Sequence, residues 1–168
     1  DLLFEKNVSI LATYGIKAEV INLSFFEKIR NKLRAKISTK YFFELIKKIE
    51  EYSPFEKKLN EYKIDIVYFL SPISLQQSLE KLNYITTLWD LCHRDNPEFP
   101  EVRLNRELEY RDENYKKILS RASAIIVDSD LGKINAVHRY GIDLERIHIL
   151  PFQPAEATRS ETDLNTIQ

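Results

Sequence analysis

At 168 residues with 43% hydrophobic content, the chain is long enough for one domain with a real core. Its formal net charge of −1 lacks the excess of Lys and Arg that a general nucleic-acid footprint requires. A single cysteine rules out an intramolecular disulfide and a thiolate metal cluster, and no apolar run is long enough to cross a bilayer. The cysteine usage fits a reducing compartment, so the expected location is cytoplasmic. With no signal peptide ahead of the domain, no methionine and a start at Asp1, the chain is expected to be part of a longer polypeptide.

Residues 2–14 space Leu3, Phe4, Val8, Leu11 and Ala12 close to the helical period, and Gly15 stands where a helix terminator belongs. Residues 17–23 then read as a strand. A helix feeding a strand is the second half of a βαβ unit, so the first strand and its glycine-rich turn are expected to be missing. A second reading makes 8–12 a strand paired through Tyr14 and Gly15.

Residues 24–63 read as a helical insertion. Phe25, Phe26, Ile29, Leu33 and Ile37 share one helical face, while Lys28, Arg30, Lys32, Arg34, Lys36 and Lys40 cover the others with no intervening acid from 28 to 40. Such a basic amphipathic helix suits either an anionic membrane surface or a solvated face on a helix packed against the sheet. A second helix turns Tyr41, Phe42, Leu45, Ile46 and Ile49 inward. Ser53 and Pro54 break it, with Ser53 as cap and Pro54 in the first turn of a third.

Residues 64–70 are nearly continuous in β-formers, which predicts a central parallel strand. A short segment carrying Leu75 to Leu82 leads to a second strand at 84–88. The chain then enters a dense polar and aromatic loop with Trp89, Asp90, His93, Arg94 and Asp95, where Pro97 and Pro100 are expected to stop any helix. Ligands of open parallel sheets bind at loops leaving the carboxyl ends of strands. A long helix is predicted from about 101 to 122, its buried stripe Leu104, Leu108, Tyr115, Leu119 and Ala122. Asp112 with Lys116, and Glu113 with Lys117, are acid-before-base pairs four apart. A buried strand over 124–128 precedes a helix capped by Ser129 and ended by Gly141, and a last strand covers 146–150. Residues 152–168 read as a linker or tail. Strands alternating with helices predict an α/β fold: a Rossmann-like parallel sheet covered by helices on both faces, with the domain spanning 1–151.

The run Trp89-Asp90-Leu91-Cys92-His93-Arg94 with Pro97-Glu98-Phe99-Pro100 resembles the loop in the amino-terminal domain of family 4 glycosyltransferases of the two-domain GT-B type. The strand at 124–128 with Ser129, Asp130 and Lys133, then Tyr140-Gly141 and the strand ending at Pro151, resembles the family's next part. The resemblance covers 64–151. It implies an acceptor-side domain of a glycosyltransferase, facing a carboxyl-terminal donor domain with an acidic Glu-x7-Glu motif that this chain does not contain. The implied reaction moves a sugar from a nucleotide-sugar donor to a hydroxyl of a glycan or lipid-linked acceptor. The nucleotide sugar is a substrate; no cofactor and no metal are implied. Trp89 stands where many relatives carry the His that touches the transferred sugar, and His93 matches a second His three residues after the Asp.

On this reading Asp90 and His93 are the catalytic candidates, and Trp89, Arg94, Ser129, Asp130 and Lys133 the substrate-binding ones. Each has a plainer use. Asp90 suits sugar hydroxyls or a loop cap, and Arg94 an anion or a salt bridge to Asp95 or Glu98. Trp89 offers a ring face or helix packing. Ser129 suits an anion or simple capping. Cys92 reads as a small buried filler and Glu98 as a loop anchor. Two other classes remain open: a non-catalytic sugar- or lipid-binding module, and a metal-dependent hydrolase using Asp90, His93 and Asp95. A peripheral place at the inner membrane face would follow from the basic helix.

Overall fold

The computed structural model describes residues 11–36 and 52–151. The helical residues 11–13 run into a turn at Gly15, whose φ of 71° is the left-handed geometry that ends helices. The strand expected over 17–23 does not form, and residues 16–24 are irregular. A strand exists through its ladder, and among the described residues none pairs with this stretch, where Ile16 and Val20 stay exposed. The expected helices at 2–10 and 41–49, the basic residue Lys40, and the tail at 152–168 lie outside the described residues.

Helix α1 (Phe25–Lys36) opens with a reciprocal cap. The Ser24 N–H donates to Glu27 Oε2 at 2.7 Å, and Ser24 Oγ accepts from the Glu27 N–H at 3.3 Å. Its apolar stripe does not face the sheet as expected: Phe25 and Phe26 are 71% and 79% exposed, and Ile29 and Leu33 are exposed too. The helix packs instead on α2 (Pro54–Glu61) and on the 3₁₀ turn Ser74–Ser78 with Asn31 turned inward. Those neighbours are short and partly polar, so among the described residues the apolar face has little to cover.

Ser53 caps α2 as predicted, its Oγ accepting from the Glu56 N–H at 3.1 Å, with Pro54 in the first turn. Glu56 is fully buried, and its carboxylate accepts the backbone N–H groups of Glu80, Lys81 and Leu82 at 2.7–3.1 Å. A carboxylate inside a protein must find such donors. These fix the chain that enters the second strand.

Strands β1 (Ile66–Phe69), β2 (Asn83–Thr87), β3 (Ala124–Val127) and β4 (Ile147–Ile149) form a parallel sheet in that order. Strand β1, expected at the centre, lies at one edge of the sheet among the described residues. The register aligns Phe69, Thr86, Ile125 and Ile147 in one row, all buried. Phe55, Leu59, Leu79, Ile118, Leu119 and Ala136 pack with this face. On the other face Ile66, Tyr68 and His148 are exposed, Ile85, Ala124 and Ile126 half-buried, and only Thr87, bonded to the Tyr68 hydroxyl, is buried. Among the described residues burial is therefore much heavier on the first face, where helices on both faces were expected. Parallel strands in sequential order, joined by crossovers of one hand, put their connections on one side.

The loop after β2 is more helical than its prolines suggested. It forms α3 (Cys92–Asp95) and α4 (Pro100–Arg103), and Pro100 starts α4 because its missing N–H is not needed in a first turn. The long helix expected from 101 is broken at Asn105 and Arg106, whose φ values are 55° and 61°, and resumes as α5 (Glu107–Arg121). The break takes Leu104 out of the predicted stripe and leaves it 62% exposed, while Leu119 and Ala122 are buried as expected. Helix α6 (Asp130–Tyr140) begins at the Ser129 cap and ends at Gly141, φ 65°.

Candidate functional site

All four strands end on one edge of the sheet, and the polar loop leaves β2 there. Leu88 continues the ladder, its N–H donating to Ile126 O at 2.8 Å, so strand geometry persists to the threshold of the loop. Trp89 then turns outward and is half exposed, held by a hydrogen bond from its indole Nε1 to Leu70 O at 2.5 Å just past β1. That bond anchors the edge of the indole while the side chain still meets solvent.

Asp90 is exposed, and its Oδ1 accepts the Cys92 N–H at 2.9 Å, the local turn that starts α3. The plainer use of Asp90 is therefore present, and it fixes the carboxylate's direction. Cys92, expected as a buried filler, is exposed. Its thiol hydrogen bonds to Asp90, and that bond, with the neighbouring negative charge, holds the thiol above its ordinary pKa. A thiol kept protonated is a poor nucleophile.

His93 faces inward. It is 1% exposed, its ring meets Tyr115 edge-on at 5.0 Å, and its Nε2 lies 3.1 Å from Tyr140 Oη. Tyr140 donates its hydroxyl hydrogen to Asp112 Oδ1 at 3.0 Å. The phenol oxygen must then accept from His93, which places the imidazole proton on Nε2. Burial depresses the His93 pKa, opposed by the Asp112 charge, so the ring is held neutral. Burial and the Asp112 carboxylate together push the Tyr140 hydroxyl well above its ordinary value.

Arg94 does not pair with Asp95 or Glu98. Its Nε sits 3.3 Å from Asp112 Oδ1, Nη1 donates to Arg139 O at 3.1 Å, and the guanidinium lies 5.3 Å from the Tyr140 ring centroid. Asp95 pairs instead with Arg139. The exchange follows from α3 being helical, which turns both residues toward α5 and α6. Asp112, expected beside Lys116, is used here too. One network, His93–Tyr140–Asp112–Arg94, thus joins α3 to both long helices.

Ser129, Asp130 and Lys133 form a separate group at the start of α6. Ser129 Oγ donates to Asp128 Oδ1 at 2.8 Å and accepts the Gly132 N–H at 3.2 Å, while the Lys133 N–H bonds Ser129 O. This is the capping use. A Cβ on Gly132 would stand 3.1 Å from Asp128 Oδ1, so the cap is close-fitting. Asp130 is exposed and Lys133 half-buried.

Tyr115, Tyr140, Asp112 and Arg139 were not singled out from the sequence as site residues. Tyr140 beside Gly141 marked only a helix end, and nothing local tied it to a loop 47 positions away. Among the described residues no group of His, Cys, Asp and Glu gathers to hold a metal ion, because His93 and Asp95 are committed to Tyr140 and Arg139. No helix among them is long and apolar enough to cross a membrane. In comparisons with known proteins the chain matches no family model and no curated sequence.

Proposed function

We propose that this α/β domain holds the hydroxyl acceptor of a sugar transfer from a nucleotide-sugar donor, as the acceptor side of a two-domain GT-B glycosyltransferase. The observation that carries this reading is the pairing of a half-exposed indole with an exposed, oriented carboxylate, Trp89 and Asp90, at the carboxyl edge of a parallel sheet. A sugar ring has an apolar face and a rim of hydroxyls, and this pair offers a partner for each. In the proposed reaction the acceptor oxygen bonds to the anomeric carbon as the bond to the leaving diphosphate breaks. Asp90 accepts the hydroxyl hydrogen and orients that oxygen. His93, buried and neutral, acts by positioning: it fixes α3, and with it Asp90, against Tyr140. The donor and the neutralisation of its diphosphate belong to groups outside the described residues.

Trp89 is the chain's only tryptophan, so its fluorescence reports on this site alone. Titration with a panel of mono- and oligosaccharides is expected to give saturable quenching, at least about tenfold weaker in Asp90→Asn, the scale of a lost hydrogen bond to a charged group. Release of nucleoside diphosphate by the full-length polypeptide should fall in the same variant. Absence of quenching by any saccharide would remove the reading. Saturable quenching without any nucleotide-sugar turnover would replace it with the non-catalytic sugar-binding module.

A further inference from the structure

A cleft of about 680 Å³ lies between α1, the 3₁₀ turn after β1 and α5, in the size range of small-molecule sites. Three lysines line it, Lys28 and Lys32 from α1 and Lys117 from α5, against one acid, Glu113. Its wall also contains Asn31, which is 4% exposed and whose Nδ2 and Oδ1 both lack a hydrogen-bond partner. A buried amide with neither end satisfied costs stability, and native structures rarely keep one without a use. The neighbouring amides bond each other: Gln77 Nε2 donates to Asn114 Oδ1 at 2.6 Å, which ties the 3₁₀ turn to α5.

From the cleft, its lysines and the orphaned amide, we infer a binding site for the phosphate group of a small soluble metabolite of sugar-phosphate or nucleotide size. The ammonium groups meet the oxyanion as point charges. The Asn31 amide is closed to solvent in the free cleft wall and meets the ligand by turning into the cleft, Nδ2 then donating to a phosphate oxygen and Oδ1 accepting from a hydroxyl of the same ligand. None of these residues belongs to the Trp89–Asp90 loop, so the inference does not rest on the acceptor reading.

The test is calorimetric titration with inorganic pyrophosphate and with glucose 1-phosphate, alongside thermal unfolding. One saturable site is expected for each, with affinity at least about tenfold lower in the Lys32→Gln/Lys117→Gln double variant. Lys57→Gln, an exposed lysine on α2, should bind as the parent does. Asn31→Leu, which removes the unpaired amide, is expected to raise the melting temperature of the free protein and to weaken binding of both ligands. Its melting temperature keeps a misfolded variant from being mistaken for a binding defect. The inference is overturned if neither ligand saturates, if the double variant binds as tightly as the parent, or if Asn31→Leu leaves affinity unchanged. Binding confined to vesicles containing phosphatidic acid, with none to the soluble ligands, would overturn it too.

Discussion

Replacing Glu56 with alanine should destabilise the fold more than any other single change on α2. The fully buried carboxylate accepts three backbone N–H groups, from Lys81 and Leu82 at 2.7 Å each and from Glu80 at 3.1 Å to both oxygens. Hydrogen bonds to a charged group contribute about 1.5–3 kcal/mol each, so a plain sum over three donors would reach roughly 4.5–9 kcal/mol. That sum is too large: burying the carboxylate costs free energy that alanine does not incur, and water can reach the part-buried amides once it is gone. The expected loss is about 3–5 kcal/mol, the usual scale for removing one side of a buried charged contact. Glu56→Gln keeps one acceptor oxygen but turns an amide N–H₂ toward the backbone donors, and should cost about 1–2 kcal/mol. Lys57→Ala, exposed next door, should stay within about 0.5 kcal/mol of the parent. Urea unfolding at matched slope measures all three. A loss below about 1 kcal/mol for Glu56→Ala would refute the latch, because that is the scale of one ordinary neutral hydrogen bond.

Two other expectations come from the site and from α1. Because burial lowers the His93 pKa below its ordinary 6.5, the unfolded chain binds the proton more tightly, so stability is present above about pH 6.5 and falls as the pH drops through the folded value. His93→Gln, which keeps an N–H donor for Tyr140, should flatten that fall, whose slope is at most about 1.4 kcal/mol per pH unit; equal slopes in parent and variant would assign it to other groups. The exposed Phe25, Phe26, Ile29 and Leu33 beside Lys28 and Lys32 should bring the chain to anionic vesicles more than to neutral ones. Lys28→Gln/Lys32→Gln should weaken that co-sedimentation about thirtyfold at low salt, on about 1 kcal/mol per basic group, and indifference to lipid charge would leave α1 an ordinary solvated helix.

What the sequence displayed and what it hid divide along the range of the interactions. Ser53, Ser129 and Gly141 were legible because a cap is settled within three or four residues of itself. Strands β2 and β3 were legible as short runs of β-forming residues between turn signals. Residues 17–23 also read as a strand, but no strand among the described residues pairs with them, and composition does not supply one. Strand β1 misled differently. Its run of β-formers suggested burial on both faces, yet Ile66 and Tyr68 are half exposed, because an apolar side chain is permitted inside rather than placed there. The Glu56 latch reaches 24 to 26 residues ahead to three backbone amides, which carry no sequence signal at all.

The same division shapes the candidate site. Sequence located the loop after β2 and picked its chemistry-bearing residues, but the choice between inside and outside was made by α5 and α6. Tyr115 and Tyr140 close over His93, and Asp112 and Arg139 take Arg94 and Asp95. Trp89 and Asp90 face solvent at the mouth of this loop, the indole bonded to Leu70 O and the carboxylate to the Cys92 N–H. That sorting gives the acceptor reading its sharpest consequence. A change at His93 must act by shifting Asp90, so it should alter affinity and rate together and be reproduced by Tyr140→Phe, which breaks the same contact from the other side. A change at Asp90 itself should act with the fold untouched. If His93→Gln abolished ligand response while Tyr140→Phe left it whole, His93 would have to reach the ligand directly, and the buried ring would have to move to do so.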